Sequence, residues 1–251
     1  MAVEFDQLAE DYDLLLPDDA LTGQGVVQTV RALMPNDNGL IRVLDCASGV
    51  GIDAVALAAA GYKVAASDIS PKMVEATRHR AASKGVEVDV VATPWRRLRE
   101  HFSESSLDVV LCLGNSFVHC PTTQEKVESL ASMRAILRPG GLLIIDSRNW
   151  DLLRPMGSRF AVSDRTVRRR GSDCITVRSW SIPTAWSDRH DVSMMFLLVD
   201  GDHVTTKHHK VSFYPIPHRT LADLVVEAGF DILADDFTPE CEWYTVTGRV
   251  R

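Results

Sequence analysis

Basic charge is the first thing in short supply: 27 Lys and Arg stand against 34 Asp and Glu, a formal net charge of −7. Nucleic-acid binding is driven by clustered Lys and Arg against phosphate, so this balance argues against a nucleic-acid partner. Long apolar runs are missing as well, and the first residues, Met1 to Asp13, carry acids where a signal peptide carries bases. Those absences speak against a membrane partner and for a cytoplasmic protein. Cysteine is sparse and unpaired: Cys46, Cys112, Cys120, Cys174 and Cys241 form no CxxC and are odd in number. Neither a disulfide framework nor a zinc site is indicated. Cys46, Cys112 and Cys174 lie in apolar strand-like runs and read as small buried hydrophobes. The adjacent His208 and His209 also lie in a strand-like run, where neighbours face opposite sides and cannot easily share a metal. No metal is expected, and no internal repeat stands out.

What is present points to one large α/β core with a subordinate lobe, for which 251 residues at 45% hydrophobic content suffice. The organising stretch is Val43-Leu44-Asp45-Cys46-Ala47-Ser48-Gly49-Val50-Gly51. A short apolar run continued from Ile41 is broken by two glycines before an Ala-rich helical segment, the order of a buried parallel strand, a turn and a helix start. Glycine accepts positive φ and lets a ligand approach the backbone, while amides at a helix start donate to an anion. A second apolar run from Tyr62 ends at Asp68. That is about 20 residues beyond Asp45, a spacing that sets an acid at the tip of the neighbouring strand, suited to ribose hydroxyls.

Around this centre the chain alternates. Residues 3–16 carry Phe5, Leu8, Ala9, Tyr12, Leu15 and Leu16 at helix-like spacing, an amphipathic lid in which Tyr12 is either a packing anchor or a hydroxyl turned into the site. A second helix is predicted over residues 20–34, ended by the turn chemistry of Pro35-Asn36-Asp37-Asn38-Gly39. Helices over residues 51–60 and 71–84, the latter capped by Ser70-Pro71, alternate with strands at 62–68 and 86–92, the rhythm of parallel crossovers. Thr93-Pro94-Trp95 then falls where open α/β sheets bind ligands; Trp95 leans on an adenine ring or is a partly buried surface aromatic. A fourth strand, residues 107–113, runs into the polar loop Gly114-Asn115-Ser116-Phe117-Val118-His119-Cys120-Pro121, where chemistry is expected. A helix over 123–137, a turn at 138–141 and a fifth strand over 142–146 follow. Arg148, just beyond, either reads a carboxylate bidentately or pairs with Asp146 or Asp151.

From about Arg159 the rhythm changes. Residues 176–182, 191–199 and 207–214 alternate as antiparallel strands do, with Asp200-Gly201-Asp202 turning a hairpin. This insertion is expected to cap the substrate side, with Arg168-Arg169-Arg170 on its solvated rim. A helix over 218–228 and apolar stretches at 230–234 and 243–250 close the chain.

The order Asp-x-Ala-x-Gly-x-Gly over residues 45–51 departs from the GxGxxG of nicotinamide-binding turns. It resembles the first motif of the S-adenosylmethionine-dependent methyltransferases. The strings at residues 111–119 and 138–151 look like the corresponding segments of glycine N-methyltransferases, so the similarity covers residues 40–151 and resumes more weakly at 211–215 and 235–237. The resemblance implies a Rossmann-like, seven-stranded, mostly parallel α/β sheet with helices on both faces and an antiparallel edge. Residues 1–158 and 216–251 would form that core with its N-terminal helical lid, and 159–215 the antiparallel β insertion.

The cofactor implied is S-adenosyl-L-methionine. Asp45, Ala47, Gly49 and Gly51 would supply the turn, and Asp68, with Ile69 and Met73 beside it, the ribose contacts. Pro94 and Trp95 would flank the adenine, and Leu113 and His119 touch the methionine portion. Gly114 counts among the cofactor contacts, while its backbone helps Asn115 orient the acceptor. Asn115, Arg148 and Tyr12 are thus the catalytic-site candidates. The implied activity is N-methylation of a small amine, with an amino acid such as glycine or sarcosine as the leading case. Small-molecule O-methylation, amino-sugar N-methylation, a non-catalytic S-adenosylmethionine-binding module and a nicotinamide oxidoreductase stay as alternatives, and a homo-oligomer stays open. Phe213 and Phe237 stand near places where the family carries tyrosines, which puts glycine itself in question.

Overall fold

A computed structural model describes residues 2–34, 40–163 and 166–251; the turn expected at residues 35–39 lies outside the described residues. The chain opens with α1 (Ala2–Leu8), continues as a tighter 3₁₀ stretch, Ala9–Leu14, and reaches α2 (Gln24–Leu33). The helix expected over 20–34 is therefore two pieces. Gly23 breaks it with φ 63°, where a Cβ would stand 2.6 Å from that of Ala56.

The crossovers then run β1 (Arg42–Asp45), α3 (Ile52–Ala59), β2 (Lys63–Asp68), α4 (Pro71–Lys84), β3 (Asp89–Ala92), β4 (Leu107–Cys112), α5 (Thr123–Ile136) and β5 (Leu137–Arg148). β3 is shorter than expected, lacking residues 86–88. The turn expected at 138–141 is instead a bulge inside β5: Leu107 pairs with Leu137, and Val109 next with Leu142. After the short α6 (Trp150–Leu153) come the antiparallel strands β6 (Arg159–Val162), β7 (Val167–Arg169), β8 (Ser172–Ser181), β9 (His190–Asp200) and β10 (His203–Phe213). The chain ends with α7 (His218–Glu227), β11 (Phe230–Asp235) and β12 (Trp243–Val250). No described helix is long and apolar enough to cross a membrane.

The seven-stranded sheet has the order β11-β12-β5-β4-β1-β2-β3, and β12 pairs antiparallel with both β5 and β11. β1 lies between β4 and β2, parallel to both. The strand order reverses there, and ligands of open α/β sheets bind beyond the carboxyl ends of strands at such a point. β1 can occupy the centre because successive side chains of a strand face opposite layers and both of its layers are apolar. Val43 enters a cluster with Val27 and Val30 of α2 and Leu57 of α3; Leu44 enters one with Leu130, Met133 and Ile136 of α5 and Leu221 of α7. Each such side chain contributes about 1.5–3 kcal/mol on burial.

A third cluster joins Leu8 and Leu14 of the N-terminal arm, Met73 of α4, Trp150, and Trp180 and Phe196 of the second sheet, whose strand path is β10-β9-β8-β6. Ion pairs add to this apolar seam. Asp11, 4% exposed, is met by Lys207 (2.6 Å), Arg170 (3.0 Å) and His209 (3.0 Å). Arg169 donates to the carbonyls of Asp13 and Leu16. Arg169 is therefore not part of the solvated rim that its charge suggests: it clamps the arm, while Arg170 reaches Asp11 and Asp13 from an exposed position and Arg168 faces solvent beside Asp173.

Candidate active site

The glycine turn is shaped from behind by α4. Gly51 takes φ 80°, and a Cβ there would come within 2.7 Å of the Thr77 methyl, so this position requires glycine. Thr77 Oγ1 donates to the Gly49 carbonyl (2.9 Å) and Arg80 Nε to that of Val50 (2.8 Å). Asp68, at the tip of β2, accepts from the backbone of Gly49 and of Ser70 (both 2.9 Å), one bond to each oxygen. A carboxylate has about four acceptor sites, so Asp68 keeps capacity for a diol. Burial raises its pKa, and raises that of Asp45 well above the ordinary carboxylate value with help from nearby Asp53.

Two cavities flank the turn. A narrow slot of ≈ 80 Å³ is lined by Gly49, Asp68, Ile69, Met73, Pro94, Trp95 and His119, with Phe5 and Tyr12 from the arm. Trp95 is fixed by its indole N–H, which donates to the Cys46 carbonyl (2.6 Å), and it stacks on Phe117 at 6.1 Å. Nδ1 of His119 lies 2.8 Å from the Ser212 carbonyl and so carries the proton; burial pulls its pKa down to about 4, leaving the ring neutral. The second cavity, ≈ 680 Å³, is lined by Asp19, Asp45, Ser48, Asp53, Leu113, Gly114 and Asp146, among others, and by no Lys, Arg or His among the described residues. Tyr12 and Ala47 belong to both cavities. The Tyr12 ring lies over Gly49, and burial, with the charge of Asp68 next, pushes its phenol up to about 12. It is anchor and wall at once.

Asn115 and Arg148 line neither cavity. They sit beside the wide one, tied to it through Asp146, whose Oδ1 accepts from the Asn115 backbone (2.7 Å). Asn115 is 3% exposed with φ 58°. Its Oδ1 accepts from the Arg148 backbone (3.0 Å), the Trp150 indole (3.1 Å) and Ser147 Oγ (3.3 Å). Because the first two can only donate, the amide orientation is fixed and its NH₂ is what Asn115 has left to offer. Among the described residues the Arg148 guanidinium has neither of the ion pairs expected as its alternative role; it lies 4.5 Å from the Trp243 ring centre and 5.9 Å from that of Trp180. Burial, then the neighbouring Arg178, pulls its pKa down to about 10.

Several groups in and around the site escape sequence reasoning. Phe5 reads only as a helix position, and Trp150, Trp180 and Trp243 as core or strand aromatics. The hydroxyl of Ser48 is buried without a partner among the described residues and borders the wide cavity, yet its place inside the glycine turn is its one signal in the sequence.

The donor set can be tested against a cofactor. Asp68 offers acceptors for ribose hydroxyls, the aromatic slot a place for a flat base, and the acids of the wide cavity a setting for ammonium and sulfonium charge, while the one arginine lining the slot, Arg96, lies beside Glu125 (3.8 Å). A mostly parallel sheet with such a turn beyond its central strand is a Rossmann-like fold. The comparisons agree. Residues 43–141 match the family profile described as "Methyltransferase domain". Glycine N-methyltransferase of Rattus norvegicus is 30% identical over 210 residues, 76% of this chain and 69% of that one. Glycine/sarcosine N-methyltransferase of Aphanothece halophytica is 36% identical over 131 residues, 52% of this chain and 47% of that one; the chain spans about half the length of most of the curated relatives it matches. An amino pentose methyltransferase from Micromonospora echinaspora, solved with S-adenosylmethionine bound, shares the fold at TM-score 0.77 with 18% identity, covering 96% of this chain and 95% of that one. The chain belongs to the S-adenosylmethionine-dependent class I methyltransferases, whose cofactor is S-adenosyl-L-methionine.

Proposed function

We propose that this protein is an N-methyltransferase acting on a small amine, with an amino acid such as glycine or sarcosine as the leading acceptor class. The observation that carries the reading is Asn115, locked by three donors next to an Arg148 that has no acid partner among the described residues. The names of the relatives, glycine and glycine/sarcosine N-methyltransferases, support it.

On this reading Asp68 grips the ribose hydroxyls, Trp95, Pro94, Ile69 and Met73 enclose the base, and Asp45, Ala47, Gly49, Gly51, Leu113, Gly114 and His119 form the path from base to methionine. S-adenosyl-L-methionine supplies an electrophilic methyl group on a sulfonium. A neutral amine needs no covalent help to attack such a carbon, so the work of the chain is orientation and exclusion of water. Asn115 donates its NH₂ to an oxygen of the acceptor, and Arg148 matches a carboxylate. Tyr12 closes the turn. His119, neutral and fixed through Nδ1, packs the slot rather than taking a proton, because an amine loses its proton in solution before it binds. Residues 1–158 and 216–251 serve as the cofactor-binding unit, and 159–215 as the cap. Four buried cysteines, all free, suit a reducing cytoplasm.

The test is a coupled assay for adenosylhomocysteine release across amines, amino acids and amino sugars. Turnover confined to alcohols or phenols, or none with any amine, would sink the reading.

A further inference from the structure

The insertion sheet carries a cation that nothing in the described residues answers. Arg178 lies midway along β8, whose unbroken pairing with β6 and β9 puts it on the face of the buried Cys174, Thr176 and Trp180. A charged side chain on such a face ordinarily has an acid beside it, because an unpaired buried charge is costly. Its guanidinium has no hydrogen bond or ion pair among the described residues. Its cross-strand neighbours are Ala161 and Met194.

Arg148 approaches the same place from the core. Its guanidinium is 5.9 Å from Trp180, two residues along β8 from Arg178. Burial pulls both arginines down, and the charge of Arg178 pulls Arg148 further, yet Arg148 at about 10 stays protonated at neutral pH. Glu242 and Asp146 are the acids whose charge reaches Arg148, but neither forms an ion pair with it. A third arginine, Arg159, stands 5.7 Å from the Trp180 ring and spends its guanidinium on the carbonyls of Leu153 and Gly157. Arg148, 5.9 Å from the Trp180 ring and 4.5 Å from that of Trp243, and Arg178, two residues from Trp180 on the same face of β8, are two unanswered cations converging from core and insertion, and describe a receptor for an anion, since exclusion of water strengthens each charge pairing.

The position of the receptor identifies the anion. The backbone N–H of Arg148 holds Asn115 Oδ1, so whatever the arginines grip lies next to the residue that orients the acceptor. We propose that Arg178 and Arg148 form a two-arginine carboxylate site, so that the acceptor is an amino acid held by its carboxylate from the core and the insertion at once. This rests on the N-methylation reading and narrows it: amines without a carboxylate, amino sugars among them, are not acceptors. Arg178 is the specificity residue contributed by the insertion.

The experiment titrates cofactor-free protein with sarcosine and with its neutral counterpart sarcosinamide, following the fluorescence of Trp180 and Trp243. Charge-assisted hydrogen bonds support a tenfold or larger effect, so the carboxylate should bind at least about tenfold tighter than the amide. Arg178→Met should lose about tenfold of that affinity, Arg178→Lys less, and Arg168→Ala, in the same insertion, none. In turnover, Arg178→Met should raise the acceptor KM and leave kcat nearly unchanged. Thermal melts identify any variant that fails to fold, and Arg178→Lys then carries the test. Equal or absent binding of the two probes, or a folded Arg178→Met that titrates like the parent, overturns the proposal. A turned-over amine lacking a carboxylate also overturns it while leaving N-methylation in place. Carboxylate discrimination without turnover of any amine keeps the anion site and removes the N-methylation reading.

Discussion

Asn115 illustrates how much of a side chain's role is decided by what surrounds it. Three donors converge on its oxygen, and the indole of Trp150 is one of them, at 3.1 Å. Trp150→Phe keeps the ring in the aromatic cluster and removes only that N–H. A neutral hydrogen bond is worth about 1 kcal/mol, so the melting temperature should fall modestly. The looser amide should show in kcat more than in cofactor affinity, measured by calorimetry beside the coupled assay. An unchanged kcat would mean that Arg148 and Ser147 suffice to hold the amide. Arg148→Ala acts on the other partner: the acceptor KM should rise about tenfold with cofactor affinity nearly intact, as expected for loss of a charge-assisted pair. Gly51→Ala tests the turn itself. With φ 80° and a Cβ 2.7 Å from the Thr77 methyl, it should cost about 2 kcal/mol in stability and weaken cofactor binding.

Among the elements, the N-terminal arm links the two sheets to the cofactor slot. Phe5 and Tyr12 wall the slot, so the position of the arm governs access to it. What holds it down is Asp11 with Lys207, Arg170 and His209. Burial pushes the Asp11 carboxyl up, but hydrogen bonds from those three outweigh it, and its pKa is lowered. Asp11→Ala should therefore open the arm, speed proteolysis near residues 1–16 and weaken cofactor binding about tenfold, since breaking a buried ion pair leaves its partners unanswered. Unaltered proteolysis and affinity would show that the apolar contacts of Leu8 and Leu14 hold the arm alone.

This element also shows where sequence reading stops. The crossovers, the cap at Ser70 and the hairpin at Gly201 are local patterns, and they appear in the structure close to where periodicity and turn chemistry put them. Asp68 and the glycine turn are legible for the same reason. The clamp from Arg169 and Arg170 to Asp11 and Asp13 spans more than 150 residues, and no periodicity encodes it. Arg178, Trp180 and Trp243 come to Arg148 in the same way, through pairing across two sheets.

Over the whole molecule, the site lowers the stability of the fold at neutral pH. Asp45, Asp53, Asp68 and Asp146 border the two cavities, and burial is the largest cause of a raised pKa in all four. Asp146 is pushed from 3.8 to about 6. A carboxyl whose folded pKa exceeds its unfolded value contributes stability that is fully present below the unfolded value and is lost as pH rises through the folded one. For Asp146 that window runs from 3.8 to about 6. Asp11, with a lowered pKa, has the opposite sign: its contribution is present above the unfolded value and is lost as pH falls. The two effects can be separated with Asp146→Asn, which keeps an oxygen to accept the Asn115 N–H but has no charge to desolvate. Thermal melts should show the variant about 2 kcal/mol more stable than the parent near about pH 7.5, with the advantage gone below about pH 4. Its turnover should fall, because the wide cavity then loses a charge that favours the cationic cofactor. A variant no more stable than the parent near neutral pH would mean that the fold holds the ionised Asp146 without penalty, and that the acids of the site are not what limits its stability.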